Sequence, residues 1–169
     1  MDDDDGDIMN TELLQCDSIA LKGHVTLTAT DKITGKIVAQ IEQDNLVVTV
    51  GKALVGDMLI DTSGYDTGIT YCAIGTGATA VAAGDTTLAT EAGTRQLITK
   101  KTRASNVLTL RTFFTAAQST INIKESGLFG HSTASGAADS GVLFSRALVA
   151  YDNSGGGSDI TITWTITIT

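Results

Sequence analysis

Ile160-Thr161-Ile162-Thr163-Trp164-Thr165-Ile166-Thr167-Ile168-Thr169 decides the fold class. Successive side chains of an extended strand point to opposite faces, so Ile160, Ile162, Trp164, Ile166 and Ile168 share one face and the threonines share the other. Ten residues of strict alternation leave no helical reading, and the Ile/Trp face must be buried. Each such side chain contributes ~1.5–3 kcal/mol when taken out of water.

Working back from that strand, the same period of two recurs. Val25, Leu27 and Ala29 alternate through His24–Thr30, Asp31 to Gly35 carries turn chemistry, and Lys36–Ile41 returns, which predicts a hairpin. Asn45–Thr49 runs into a helical pattern, and further strands are predicted over Ile69–Ile74, Arg95–Arg103, Val107–Thr115, Thr120–Glu125 and Val142–Val149. One segment has a different period. Val50, Leu54 and Met58 recur at i+4, as do Val55 and Leu59, which predicts a helix over about 49–60 that Asp61-Thr62-Ser63-Gly64 stops. Asp85 to Glu91 is read as one helical turn capped by Asp85. His131–Gly141 and Asp152–Asp159 are read as exposed loop tips. Many short strands with polar turns and one helix imply an all-β fold, an antiparallel β-sandwich or open barrel. The expected organisation is an extended, acidic N-terminal arm, residues 1–20, followed by a single β domain, residues 21–169.

Composition narrows the function classes. The formal net charge is -8 and charged residues are 18%, against roughly 25% in ordinary globular domains. No basic stripe is present for a phosphate backbone, so no nucleic-acid partner is expected. No apolar run is long enough to span a bilayer as a helix, so no membrane partner is expected. Cys16 and Cys72 do not make a disulfide framework and are read as free thiols, Cys72 as a buried small hydrophobe.

Gly75-Thr76-Gly77-Ala78-Thr79-Ala80 fits a dinucleotide-binding G-x-G-x-x-A turn, but small residues and Gly84 follow where a long helix is required, so it is read as a tight turn. Gly130-His131-Ser132-Thr133-Ala134 looks like a nucleophile elbow, yet no His follows His131. An EF-hand loop ending at Glu12 would need Met1 as its first ligand. His24 and His131 lack metal-site neighbours. Lys100-Lys101-Thr102-Arg103 is read as a solvated edge. No catalytic residue, cofactor or metal is therefore expected. The arm is the one candidate binding element. Asp2, Asp3, Asp4 and Asp5 repel one another and bury nothing, while Ile8, Met9, Leu13 and Leu14 follow at once and suit a groove on another subunit.

Several segments resemble, in order, those of small tail-associated structural proteins of tailed bacteriophages, of the fibre-base or baseplate type. They are Asn45-Leu46-Val47-Val48-Thr49-Val50-Gly51-Lys52 with the helix after it, Ala73-Ile74-Gly75-Thr76-Gly77, and Asp85-Thr86-Thr87-Leu88-Ala89-Thr90-Glu91. Ile123-Lys124-Glu125-Ser126-Gly127-Leu128-Phe129, Leu143-Phe144-Ser145-Arg146-Ala147 and the Thr-rich strand around Trp164 complete the set. The resemblance covers residues 45–169. It implies a non-enzymatic virion subunit, assembled in the host cytoplasm, that acts as a homo-oligomer and contacts other virion proteins. A capsid decoration protein is the nearest alternative. A glycan-binding module using loops near Tyr65, His131 and Tyr151 is the second, disfavoured by only 5% aromatic residues.

Overall fold

A computed structural model describes residues 18–60 and 68–169. Among the described residues the fold is all-β with one short helix, as expected: a nine-stranded antiparallel sheet curled into a half-barrel. Its elements are β1 (Leu21–Asp31), β2 (Ile37–Val47), α1 (Thr49–Leu59), β3 (Ile69–Gly75), β4 (Glu91–Leu97) and β5 (Lys100–Ala104). They continue with β6 (Val107–Phe114), a 3-10 turn (Ala116–Ser119), β7 (Asn122–Gly130), β8 (Val142–Asp152) and β9 (Ser158–Ile168). The strand order is β4-β3-β7-β8-β2-β1-β9-β6-β5. β2 joins the two halves of the sheet, pairing β1 along most of its length and β8 only at Leu46↔Arg146 and Val47↔Ser145.

The alternating C-terminal strand lies between β1 and β6, and its register builds the core in rows. Val25, Trp164 and Leu110 stand side by side, then Leu27, Ile162 and Thr112, then Ala29, Ile160 and Phe114. Directly opposed residues share a face, and here a small side chain stands in a row with a large one, which helps the inner surface pack. Val25, Leu27, Ala29, Ile160, Ile162, Trp164 and Ile166 are fully buried. Ile168, at the strand end, is 38% exposed. Thr161, Thr163 and Thr165 form a half-buried outer face.

Four expectations need correction. Arg95–Arg103 is not one strand. The Ile98 N–H still bonds the Thr70 carbonyl beside β3, whereas the Thr99 N–H bonds Arg111 beside β6. The chain thus changes partner between adjacent residues, and those two residues join the two edge strands of the sheet. The strand expected at Thr120–Glu125 runs instead from Asn122 to Gly130, because the small and apolar residues after Glu125 pair with both β3 and β8. No helical turn forms at Asp85–Glu91; the Asp85 carboxylate is drawn to Arg146 instead. The Asp152–Asp159 loop is not merely an exposed tip. Asn153 is buried, donates to Ser119 and Ser158 and accepts from the Ser158 N–H.

The helix α1 forms where expected and buries only Gly51 and Leu54, while Met58, Leu59 and Ile60 lie exposed. Gly51 is required there, since a Cβ would collide with the Phe144 carbonyl of β8. The helix stop expected at Asp61–Gly64 lies outside the described residues. So do Cys16, Tyr65, the Glu12 loop and all eight candidate arm residues, Asp2, Asp3, Asp4, Asp5, Ile8, Met9, Leu13 and Leu14.

Candidate functional site

The densest grouping of buried charge lies between β7, β8 and the long loop that follows β3. Glu125 on β7 is fully buried, as is Arg146 on β8 at 1% exposure. β7 and β8 pair antiparallel, which brings the two within reach, and the Arg146 Nε donates to Glu125 Oε2 at 2.8 Å. The rest of the Glu125 carboxylate is met by backbone. Oε1 accepts from the N–H groups of Gly77 (3.1 Å) and Thr90 (2.7 Å), and Oε2 also accepts from Ala89 (3.0 Å). Four donors thus match the four lone-pair positions of a carboxylate. Arg146 is equally committed, donating to Asp85 Oδ2 at 2.8 Å and to the Thr79 carbonyl at 2.9 Å.

The electrostatics follow from this wiring. Burial by itself pushes Asp85 up, but the Ala82 N–H and the Arg146 guanidinium outweigh it and hold the carboxyl below its ordinary range. Burial likewise opposes the charge on Arg146, and Asp85 and Glu125 more than restore it. A second buried cation, Arg95 on β4, is gripped by Glu91 through both Nε and Nη2 at 2.6 and 2.8 Å. It lies over the Phe129 ring at 3.6 Å and donates to the Ser140 carbonyl.

This arrangement explains the glycine-rich turn. A Cβ on Gly75 or Gly77 would collide with the Glu125 carboxylate. The turn does cradle an anion, as such turns do, but the anion is the chain's own side chain. Asn45, from a further segment singled out in the sequence, bonds Ser145, the neighbour of Arg146, and Ser145 also donates to the Leu46 carbonyl.

The remaining sequence candidates do not assemble. His131 has a positive φ of 81° and turns its Nδ1 toward Thr133; Ser132 is exposed. Tyr151 is half-buried, with its hydroxyl against Ser158. His131 and Tyr151 sit at opposite ends of the β7–β8 pair, nine residues along β8 from Val142, which is roughly 30 Å of strand. His24 pairs with Asp44 and Glu42 on the surface. Among the described residues, no group of His, Cys, Asp and Glu has the arrangement of a metal site.

Sequence reasoning missed the Glu125–Arg146–Asp85 network. The signal was present: Arg146 is the one charge in the apolar run Val142–Val149, and a lone charge on a buried strand implies a buried partner. It also missed an apolar cleft of about 600 Å³ at one end of the half-barrel, between α1 and the β5–β6 edge. Leu54, Val55 and Met58 form one wall; Leu108, Leu110 and Ile166 form the other, with Lys101 and Arg103 at the rim. No family model, curated protein or solved structure matches this chain.

Proposed function

We propose that this chain is a non-enzymatic structural subunit of a tailed-phage virion, placed at the tail, baseplate or fibre base, and that it works by binding copies of itself and neighbouring virion proteins. One observation carries the reading. Gly77, Asp85, Ala89, Thr90, Glu125 and Arg146 come from four of the segments that resemble phage tail-associated proteins, and they meet in one buried network. The polar groups of those segments are consumed in bracing the sheet and its long loop. A segment set of this kind suits a rigid building block better than a reaction centre, where charged groups face a substrate.

The test is to locate the chain in intact particles by immunogold labelling and mass spectrometry of purified tails and heads. The expected result is enrichment in the tail fraction. Absence from purified particles would refute the reading, and a signal spread over the capsid lattice would replace it with the decoration role.

A further inference from the structure

From the cleft at the end of the half-barrel we infer that it is the seat for the N-terminal arm of a second copy of this chain, with Ile8, Met9, Leu13 and Leu14 in the cleft and the acidic run over Lys101 and Arg103. The inference rests on the self-association in the reading above and gives it a place.

In the β5–β6 pair Lys101 stands opposite Leu110 and Arg103 opposite Leu108. Opposed residues share a face, and Leu110 is buried in the core. Both cations therefore project on the inner side of an edge strand, at the lip of an apolar cleft. Neither has an ion-pair partner among the described residues. Inward charge guards a strand edge against aggregation, but it also selects an occupant that brings negative charge beside apolar side chains.

Residues 1–17 have that composition. They hold Asp2, Asp3, Asp4, Asp5, Asp7, Glu12 and Asp17, no Lys or Arg, and the apolar pairs Ile8-Met9 and Leu13-Leu14. Complementary charge fixes register and speeds encounter, while apolar burial supplies affinity.

The chain's path favours a second copy over the same one. Ala20 exchanges both backbone hydrogen bonds with Thr169, so the chain is still tied to the sheet end at residue 20. Leu21 already lines the cleft. To enter it in the same copy, Leu14 has to double back within the few residues between. An arm from a neighbour enters without that reversal. Ile19, Met58, Leu59, Ile60 and Ile168 are also exposed, at 76%, 46%, 76%, 74% and 38%, and Met58 and Ile168 lie on the cleft itself. Exposed apolar side chains at and near the cleft are what a second body would shield.

The experiment uses two full-length variants in sedimentation velocity. One carries Lys101→Glu and Arg103→Glu in the seat; the other carries Ile8→Ser, Met9→Ser, Leu13→Ser and Leu14→Ser in the arm. Wild-type chain is expected to self-associate, less strongly as salt rises. Each variant alone is expected to associate at least about tenfold more weakly. An equimolar mixture is expected to recover association, because the intact arm of one variant finds the intact seat of the other. Unchanged near-ultraviolet circular dichroism from Trp164 shows that both variants are folded. The inference is overturned if the wild-type chain is monomeric, if either variant associates like wild type, or if the mixture does not recover. Any of these results leaves the location of the chain in particles, and so the functional reading, to stand or fall separately.

Discussion

Replacing Glu125 by Gln changes one atom and removes one charge, and its cost follows from the donors around the carboxylate. An amide oxygen can serve either the Gly77 and Thr90 N–H pair or the Ala89 N–H with Arg146 Nε. Its NH2 then faces the other pair, donor against donor. Each buried donor left without an acceptor costs about 1–3 kcal/mol. Breaking a buried ion pair from one side costs about 3–5 kcal/mol, because the remaining charge stays buried. These costs overlap, so the expected loss is about 3–5 kcal/mol. Against a typical total of about 5–15 kcal/mol, that lowers Tm by roughly 6–20 °C for a chain of this size.

Urea unfolding followed by fluorescence measures the loss directly, since Trp164 is the sole tryptophan and is fully buried; an unchanged m-value licenses the comparison. A loss below about 1 kcal/mol refutes the reasoning. A double replacement, Glu125→Leu with Arg146→Met, sharpens the test. For an isolated buried pair such an exchange is often neutral or stabilising. Here three backbone N–H groups lose their acceptor, so the double variant should remain at least about 2 kcal/mol below wild type.

Three further outcomes are expected. Trp164→Ala should destabilise by about 3–5 kcal/mol in chemical unfolding followed by circular dichroism; a loss under about 1 kcal/mol would contradict its central place in the rows. The glycines of α1 should part company in thermal melts: Gly56→Ala meets nothing within 4 Å and should stabilise by roughly 0.5–1 kcal/mol, whereas Gly51→Ala should destabilise by forcing the helix off the Phe144 carbonyl. Burial pushes the Cys72 thiol up from 9.0 to about 11, against a hydrogen bond with Ser126. The unfolded thiol therefore ionises first as pH rises, and stability that is full below about pH 9 should fall toward pH 11 by at most about 1.4 kcal/mol per unit. Cys72→Ala should flatten that slope in unfolding measured across the same range.

What could be read in advance was what burial on one face writes into the chain. β1 and β9 alternate because only their inner sides are buried, and α1 showed through the i+4 spacing of Val50 and Leu54 even though Met58 and Leu59 lie exposed. What resisted reading depends on partners distant in sequence. Nothing at Ile98-Thr99 marks a strand that changes neighbours, since no Gly or Pro stands there; the change is imposed by Thr70 on one side and Arg111 on the other. Asp85 looks like a helix cap locally, but Arg146, 61 residues away, claims its carboxylate. Glu125 looked like one more polar position at the end of a strand, because its backbone donors lie 35 to 48 residues earlier and Arg146 lies 21 residues later. The arm residues fall outside the described part of the molecule, so the sequence alone still speaks for them.

The placing of β9 between β1 and β6 sets a timetable for the nascent chain. Val25, Leu27 and Ala29 leave the ribosome early, but the strand that covers one side of β1 ends at Ile168. At ~5–20 residues per second, that interval lasts on the order of ten seconds or more. Through it the β1–β2 hairpin carries an apolar face and a long open edge, with its final neighbour still unmade. Pairing of such distant segments is slow even once both exist. The sheet therefore cannot close until residues 158–168 have been made, and a chain released before them would present an unsatisfied β1 edge to any similar chain nearby.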